Sequence, residues 1–252
     1  MRFLYILCII LPTITFSQNI SNSENNGSIK WNEFEIRNNK WGIYKLKKGI
    51  YHQTIFLNDN IPGWQWSTPG KSYGVLGYPM LFLGTNAWEK LSDVNGENYF
   101  KKIDDLNEFI VEYQTNLNVD DKKYNLAFDF WLHQSPKVAF ETIGAEVMIW
   151  EDYNKFKPFG KKTGSLKTSS GIYDVYTGKI FKKELNKGWD YIAFVRVEKR
   201  RNGKINVMDF LNYMKSNNLN KNNNYLSSFE FGTEILTSTG NIKIEEYKVI
   251  IK

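Results

Sequence analysis

Alternating apolar and polar positions dominate the sequence from about residue 31 onward. In residues 124–132 every second side chain is large and apolar, and the positions between them include Asp129 and Trp131. Because successive side chains of a β-strand point to opposite faces, this period of two predicts a strand. One face of that strand is apolar, and the other is polar and aromatic.

Further segments repeat this pattern and are separated by turns rich in Gly, Asn, Asp and Lys. These predicted strands cover residues 50–57, 110–115, 146–150, 172–176, 191–197, 229–236 and 244–251. Many short strands at regular spacing are typical of an all-β sandwich or jelly roll. One segment departs from the pattern, because residues 205–214 carry apolar side chains at helical spacing and predict a single short amphipathic helix packed on a sheet.

The N-terminus has the organisation of an export signal. Residues 1–17 contain a positive Arg2, an apolar run and small residues that end at Ser17, which predicts a signal peptide. An N-terminal membrane anchor is the alternative, although the apolar run is short for a span. Residues 18–30 are polar and without periodicity, and predict a disordered leader before a domain over residues 31–252. Cleavage after Ser17 would remove Cys8, the only cysteine.

Composition excludes several classes of protein. Of 252 residues, 42% are hydrophobic, 24% are charged and 16% are aromatic, so intrinsic disorder, a collagen and a multi-span membrane protein are excluded. The formal net charge is +6, but Lys and Arg are scattered, with the densest clusters at residues 45–48 and 199–201. We therefore expect no nucleic-acid partner, and we interpret these clusters as solvated turns.

Two predicted strands carry the candidate chemistry. In residues 146–150, alternation places Glu146 on one face with Met148 and Trp150. In residues 229–235, Glu230 and Glu234 share a face with a glycine, Gly232, that we expect to leave room for a ligand. A carboxylate on a half-buried strand is costly unless it is solvated or used, so these strands predict an open polar groove.

Several motifs, in the same order along the chain, resemble those of glycoside hydrolase family 12. The most specific is EVMIW at residues 146–150, followed by PFG at 158–160. The other motifs are NNKWG at 38–42, GYPMLFLG at 77–84, FDFWL at 128–132, WDYIAF at 189–194 and GTE at 232–234. The resemblance covers residues 31–252. It implies a β-jelly-roll sandwich of two antiparallel sheets with a concave substrate groove, and secreted endo-β-1,4-glucanase or xyloglucanase activity.

Carried over by position, the resemblance implies that Glu146 is the nucleophile and Glu234 the general acid/base of a retaining mechanism. Such a mechanism needs two carboxyl groups about 5 to 5.5 Å apart. At that distance and an effective dielectric constant of about 20, their repulsion is roughly 3 kcal/mol, which favours sharing one proton. Asp129 resembles the family's assisting aspartate, which orients the nucleophile.

The same resemblance implies a set of substrate-binding side chains. Trp41 and Trp150 match positions that line the groove, Met148 resembles another lining residue, and Asn39 resembles a ligand of a sugar hydroxyl. Trp is suited to this role because its flat apolar surface can stack on a sugar ring. Trp131, Trp66 and Trp64 are further candidates from the residues alone, with packing in the core as the open alternative.

No feature of the sequence implies a metal or a cofactor. The two histidines, His52 and His133, have no metal-binding spacing.

Together, the resemblance and the export signal predict a monomeric secreted enzyme whose partner is a β-glucan polysaccharide. A carbohydrate-binding jelly roll without turnover and a related β-1,4-xylanase remain as alternatives, although two glutamates beside Asp129 favour an enzyme and EVMIW favours a glucanase.

Overall fold

A computed structural model describes residues 19–68, 70–183, 186–219 and 221–252. The strands of these residues are β1 Ile20–Asn22, β2 Ser28–Trp31, β3 Phe34–Arg37, β4 Leu46–Lys48, β5 His52–Asn58, β6 Ile61–Ser67, β7 Lys71–Ser72, β8 Met80–Gly84, β9 Lys101–Lys102, β10 Phe109–Val119, β11 Tyr124–His133, β12 Ile143–Asn154, β13 Lys161–Thr168, β14 Gly171–Lys182, β15 Lys187–Arg196, β16 Asn202–Asn206, β17 Tyr225–Gly232 and β18 Gly240–Ile251. The helix α1 spans Val207–Ser216, and 3-10 turns cover Ile43–Lys45, Leu91–Asp93, Ile103–Asp105 and Phe140–Thr142. The predicted signal peptide, residues 1–17, lies outside the described residues. The predicted leader, residues 18–30, is described from residue 19 onward.

Two packed sheets form the body of the molecule, which confirms the predicted jelly-roll sandwich. The outer sheet has six strands in the order β1-β5-β6-β18-β10-β16. The second sheet has ten strands in the order β13-β14-β15-β12-β11-β17-β8-β3-β2, with β9 added beside β17. Among the described residues, every strand pair of these sheets is antiparallel except β12 with β15, which is parallel. A separate two-stranded sheet joins β4 and β7.

The core lies between the two large sheets and is formed by every second side chain of their strands. On β11, Phe128 and Phe130 are fully buried in this core, whereas Asp129 points to the other face of the sheet. On β12, Val147 and Ile149 are likewise in the core. The odd-even pattern of the sequence therefore divides the ten-stranded sheet into a core face and an outward face, which we call the groove face.

Helix α1 confirms the predicted short helix and begins two residues later than predicted. The residue before it, Asn206, is the N-cap, and its side-chain oxygen accepts a hydrogen bond from the Met208 amide at 3.2 Å. Phe210 is fully buried, and its ring packs edge-on against Tyr173 and Phe194 with centroids 5.0 Å away in both cases. The buried face of the helix thus belongs to the main core.

The polar leader predicted over residues 18–30 is corrected by the structure. Strand β1 pairs with β5, and β2 pairs with β3, so these residues add edge strands to both large sheets. Ile29 is buried in the core, and the Asn38 side-chain amide donates to the Glu24 carbonyl at 2.7 Å. Edge strands need few apolar side chains because main-chain hydrogen bonds hold them, and this is why a polar composition concealed them.

A buried acidic residue links the core to the loop after β15. Glu151 is fully buried and accepts hydrogen bonds from the hydroxyls of Tyr113 at 2.5 Å and Tyr173 at 2.6 Å, together with an ion pair from Arg200. We expect Glu151→Gln to lower the free energy of unfolding by about 3 kcal/mol or more, because it leaves the Arg200 charge without its counter-charge. Urea unfolding measures this effect.

The matched control for that experiment is Glu112→Gln. Glu112 pairs with Lys204 at 2.7 Å on the surface, where water screens the interaction. We expect this variant to unfold at nearly the same urea concentration as the parent. Equal losses in the two variants would contradict the role assigned to burial.

Within residues 19–252, apart from the undescribed positions, no helix has the length and apolar character required to cross a membrane.

Candidate active site

Three adjacent strands, β12, β11 and β17, bring the candidate acids to the groove face. Glu146 on β12 lies opposite Trp131 on β11, and Asp129 lies opposite Met148 on β12. On its other side, Asp129 pairs with Glu230 of β17. Alternation along each strand therefore puts these carboxyl groups on the same face, as the sequence predicts.

Glu234 follows the end of β17 and is fixed by Asn125. The two residues exchange hydrogen bonds: the Glu234 amide donates to Asn125 Oδ1 at 3.0 Å, and the Asn125 amide donates to the Glu234 carbonyl at 3.2 Å. The Asn125 side-chain amide also donates to the Glu234 carboxylate. Asn125 thus holds both the backbone and the side chain of Glu234.

The nucleophile candidate is held by a tryptophan from the next strand. Trp189 on β15 donates its indole N–H to Glu146 Oε2 at 2.8 Å. Burial raises the pKa of Glu146 to about 7, against the hydrogen bond from Trp189 and the positive charge of Lys182, which act in the opposite direction. Glu146 can therefore gain and lose a proton near neutral pH.

Glu234 is the weaker acid of the two. Burial, followed by the negative charge of Glu146, raises its pKa to about 8, while Asn125 and Lys45 act in the opposite direction. Register separates the two glutamates along β11, since Glu146 is level with Trp131 and Glu234 with Asn125. The negative charge of Glu146 nevertheless raises the pKa of Glu234 across the groove face.

Asp129 and Glu230 add two further acids to the same face. Both are buried, with 6% and 7% of their surfaces exposed. Burial, together with the charges of Glu146, Glu230 and Glu234, raises the pKa of Asp129 well above its ordinary value. Asp129 Oδ1 has no hydrogen-bond partner among the described residues, whereas Glu230 accepts from the Ser228 hydroxyl at 2.9 Å. Burial and the neighbouring negative charges therefore favour the protonated form of Asp129.

Two lysines lie near the glutamates, and each rests on a tryptophan. Lys45 Nζ lies 3.8 Å from the ring centroid of Trp41, and Lys182 Nζ lies 4.5 Å from that of Trp88. The charge of Lys45 acts on Glu234, and that of Lys182 acts on Glu146. The site therefore combines acids, ammonium groups and half-exposed aromatic rings.

The predicted substrate-binding residues differ in how they meet the groove. Trp41 is 43% exposed and presents a ring to solvent, and Asn39 Oδ1 accepts from the Trp41 amide at 3.2 Å. Met148 and Trp150 lie on the groove face, but only 3% and 1% of their surfaces are exposed. Both are packed in a second apolar cluster, with Tyr153 and Phe156 against it, and their contact with a sugar stays a prediction.

Trp131 and Trp66 lie in different parts of the molecule, and contact of Trp131 with substrate stays a prediction. Trp131 lies on the groove face within an aromatic cluster, where the ring of Trp88 covers it edge-on at a centroid distance of 4.9 Å. Trp66, in contrast, lies on β6 of the outer sheet and is buried in the core between the sheets, where its N–H donates to Ser238 Oγ at 3.0 Å. The prediction that Trp66 binds substrate is wrong, because its side chain points into the core. Trp64 is buried in the same core.

The expected opening at Gly232 is also corrected. A side chain at this position would meet the Pro79 carbonyl at 2.5 Å and the ring of Tyr78 at 2.8 Å. Gly232 is thus needed for close packing against β8 and its preceding segment. The tight contact is with the chain itself rather than with a ligand.

Sequence reasoning missed several groove residues. Trp189 shares its face of β15 with Tyr191, and alternation along that strand could have identified it. Asn125 lies four positions before Asp129 on β11, so alternation places both on the same face and could have identified Asn125 as well. Trp88 is 42% exposed and lies in a loop, where no periodicity indicates its position.

The hydrogen bond from Trp189 to Glu146 leads to a prediction about the pH dependence of activity. Trp189→Phe removes a hydrogen bond that stabilises the ionised form of Glu146, so its pKa should rise and the acidic limb of the kcat/KM profile should move to higher pH. We expect roughly a tenfold loss of kcat/KM below neutral pH, the effect of one hydrogen bond to a charged group. Trp131→Phe is the control, because it alters the same cluster and leaves this bond intact. An unmoved limb in Trp189→Phe would contradict the assignment.

In the part of the chain that the structure describes, no group of three or more His, Cys, Asp or Glu side chains is placed to hold a metal ion.

A jelly roll whose outward sheet face carries two interacting glutamates among aromatic rings has the features of a glycoside hydrolase. The chain matches the family model Glycosyl hydrolase family 12 over residues 32–252, and it belongs to that family. It is 28% identical over 224 residues to endoglucanase S of Pectobacterium parmentieri, an alignment that covers 88% of this chain and 83% of the relative.

Solved structures give the same result for the fold. A family 12 xyloglucanase from Bacillus licheniformis, determined with a ligand, superposes with a TM-score of 0.80 at 26% identity, covering 92% of this chain and all of the other. Endoglucanase 3 of Trichoderma harzianum superposes with a TM-score of 0.75 at 20% identity, covering 94% and 98%. The protein is a glycoside hydrolase with the jelly-roll fold of this family.

Proposed function

We propose that the protein is a secreted, retaining endo-glycosidase that cleaves internal β-1,4-glucosidic bonds of a β-glucan. The observation that carries this proposal is the placement of Glu146 and Glu234 along β11, with Glu146 opposite Trp131 and Glu234 hydrogen-bonded to Asn125, so that the charge of Glu146 raises the pKa of Glu234. A double displacement requires such a pair, since one carboxyl group must attack as an anion while the other donates a proton.

In the first step, an oxygen of ionised Glu146 forms a bond with the anomeric carbon. The glycosidic C–O bond breaks, and the proton of Glu234 passes to the departing oxygen. Esterification removes the charge of Glu146, so the pKa of Glu234 falls. Glu234 then takes a proton from water, the water oxygen attacks the anomeric carbon, and Glu146 leaves as a carboxylate with the configuration retained.

The surrounding residues support this sequence of events. Trp189 holds one oxygen of Glu146, and Asn125 holds the carboxyl group of Glu234. Burial and the neighbouring charges favour protonated Asp129, and in that form its carboxyl group can donate a hydrogen bond that stabilises the ionised form of Glu146. Trp41 presents an exposed ring on which a sugar can stack.

The names of similar proteins indicate the class of substrate. One relative is called an endoglucanase and one structural neighbour a xyloglucanase, and both are more than 25% identical to this chain. We infer a β-glucan polysaccharide as the partner, acted on by a monomer outside the cytoplasm. The apolar segment before Ser17 supports export.

The two glutamates predict a narrow pH optimum. The ionised form of Glu146 is lost as the pH falls below about 7, and the protonated form of Glu234 is lost as it rises above about 8. We therefore expect a bell-shaped profile of kcat/KM with its maximum between these values. Initial rates on a soluble β-glucan from pH 4 to 10 measure it. A maximum near pH 4 would contradict the effect assigned to burial.

The function is tested by product release from several polysaccharides. Reducing sugars are measured with carboxymethylcellulose, xyloglucan, lichenan and xylan, and viscosity is followed in parallel. We expect release from at least one β-glucan with an early fall in viscosity, the mark of internal cleavage. Binding without release would favour a carbohydrate-binding protein, and release from xylan alone would favour a xylanase.

A further inference from the structure

A small exposed sheet adjoins the groove at the Trp41 end. Strands β4 and β7 pair with each other, and the Tyr73 amide donates to the Lys45 carbonyl at 3.1 Å. Large apolar side chains project from this unit into solvent: Tyr44 is 77% exposed and Tyr73 is 76% exposed. Ile50 and Ile43 are also exposed. Exposed aromatic side chains grouped on one unit indicate a binding surface.

The same unit carries unbalanced positive charge. Lys47, Lys48 and Lys71 form no ion pair with any described carboxylate, and neither does Lys45. Between Glu35 and Glu89 the sequence contains a single acidic residue, Asp59. Lys48 and Lys71 are directly paired across β4 and β7, an arrangement of like charges that destabilises a sheet. A bound anion would offset this repulsion.

Charge and aromatic rings are interleaved on this surface. Lys47 Nζ lies 5.0 Å from the ring centroid of Tyr73, and Lys45 Nζ lies 5.6 Å from that of Tyr44 and 3.8 Å from that of Trp41. We define the basic aromatic platform as the three rings and four lysines together: Trp41, Tyr44, Tyr73, Lys45, Lys47, Lys48 and Lys71. A flat pyranose ring can stack on the aromatic side chains while an ammonium group meets a carboxylate substituent.

The platform is continuous with the groove. The segment that carries Trp41 is tied to the residue after Glu234 by main-chain hydrogen bonds: the Gly42 amide donates to the Leu76 carbonyl at 3.0 Å, and the Leu76 amide donates to the Ile235 carbonyl at 2.8 Å. Lys45 rests on the Trp41 ring, and its charge acts on Glu234. A polysaccharide chain that lies across the glutamates can therefore extend onto β4 and β7. A nucleic acid or a lipid surface would match the lysines, but neither has a reason to continue into a groove built around two glutamates.

We propose that the basic aromatic platform binds carboxylated segments of a polysaccharide and gives the enzyme a preference for anionic glucan chains. This inference rests on the proposed function in one respect, namely that a glycan occupies the groove. The proposed function states which glycosidic bond is cleaved, whereas this inference states which substituents on the polysaccharide chain are recognised.

The test compares an anionic with a neutral substrate. The variant Lys47→Gln/Lys48→Gln/Lys71→Gln removes three platform charges without altering any residue placed in the catalytic machinery. Its matched control is Lys221→Gln/Lys243→Gln/Lys248→Gln, which removes the same net charge from exposed positions elsewhere. Initial rates are measured on carboxymethylcellulose and on neutral hydroxyethylcellulose, at low and high NaCl, and binding to non-hydrolysed polygalacturonate is measured by affinity electrophoresis.

We expect the platform variant to raise KM for carboxymethylcellulose by about three- to tenfold at low salt, with kcat unchanged, because each screened surface contact contributes modestly. High salt should remove the difference, and KM for hydroxyethylcellulose should stay the same. Relative to its own mobility in a gel without polygalacturonate, the platform variant should be retarded less than the parent, and the control should be retarded as much as the parent.

Other outcomes overturn the proposal. These are an unchanged KM for carboxymethylcellulose, equal effects in the two triple variants, an equal effect on the neutral substrate, or tighter parent binding to DNA or anionic lipid vesicles than to polygalacturonate. Activity of the parent on the β-glucans separates the two hypotheses: release from any one of them leaves the proposed function intact when the platform fails, and release from none of them counts against the proposed function itself.

Discussion

Replacing Glu146 with glutamine is expected to lower kcat on a β-glucan on the order of 10⁴-fold or more, while oligosaccharide binding persists. Glutamine keeps the size of the side chain and an oxygen that can accept the Trp189 N–H, so the groove should retain its shape. It lacks the negative charge that attacks the anomeric carbon. The variant should also show a lower pKa for Glu234, because the charge of Glu146 that raises it is gone.

The control for this experiment is Glu230→Gln. Glu230 is also a buried carboxyl group of the groove face, with its own pKa raised by burial to about 7, but it has no place in the proposed bond changes. We expect it to retain activity within about tenfold of the parent, since it alters only the charges around the reacting groups. If Glu230→Gln lost most of its activity while Glu146→Gln stayed active, Glu230 rather than Glu146 would be the nucleophile, and the assignment would be contradicted.

The second large effect is expected for Glu234→Ala. Without the acid, kcat on a natural glucan should fall about 10²- to 10⁴-fold, because the leaving oxygen departs unprotonated. An aryl glycoside with a good leaving group needs little protonation and should lose far less in the first step. Azide should then restore turnover and yield a β-glycosyl azide, because a small anion can occupy the space of the missing carboxylate and attack the intermediate.

Asn125→Ala provides the comparison for Glu234. It removes the amide that holds the Glu234 carboxyl group and leaves the acid itself in place. We expect a partial loss, an increase in the pKa on the basic limb and no rescue by azide. Equal loss of Glu234→Ala on both kinds of substrate, without an azide effect, would show that Glu234 is not the acid/base.

Strand faces could be predicted from the sequence because side-chain alternation has a fixed period. This period placed Phe128 and Val147 in the core and Asp129 and Glu146 on the groove face, and all four positions are confirmed. The same rule does not say which sheet a strand joins. Trp66 was misplaced for this reason, since its outer-sheet strand turns the tryptophan toward the core.

Interactions between distant segments could not be predicted from the sequence. Lys45 and Glu234 are far apart along the chain, and only the packing of the β4 segment beside the groove brings their charges together. Trp88 belongs to a loop whose path has no sequence period. The edge strand β1 was also missed, because backbone pairing rather than apolar side chains holds it.

The central claim, that Glu146 attacks the sugar, is tested most directly by trapping the intermediate. The parent enzyme is incubated with a 2-deoxy-2-fluoro-β-cellobioside that carries a dinitrophenyl leaving group, and the intact protein and its proteolytic peptides are weighed by mass spectrometry. We predict a stable gain of one fluorinated cellobiosyl group, located on Glu146. A label on Asp129, Glu230 or Glu234, or cellulose-type products released with the opposite anomeric configuration, would contradict it.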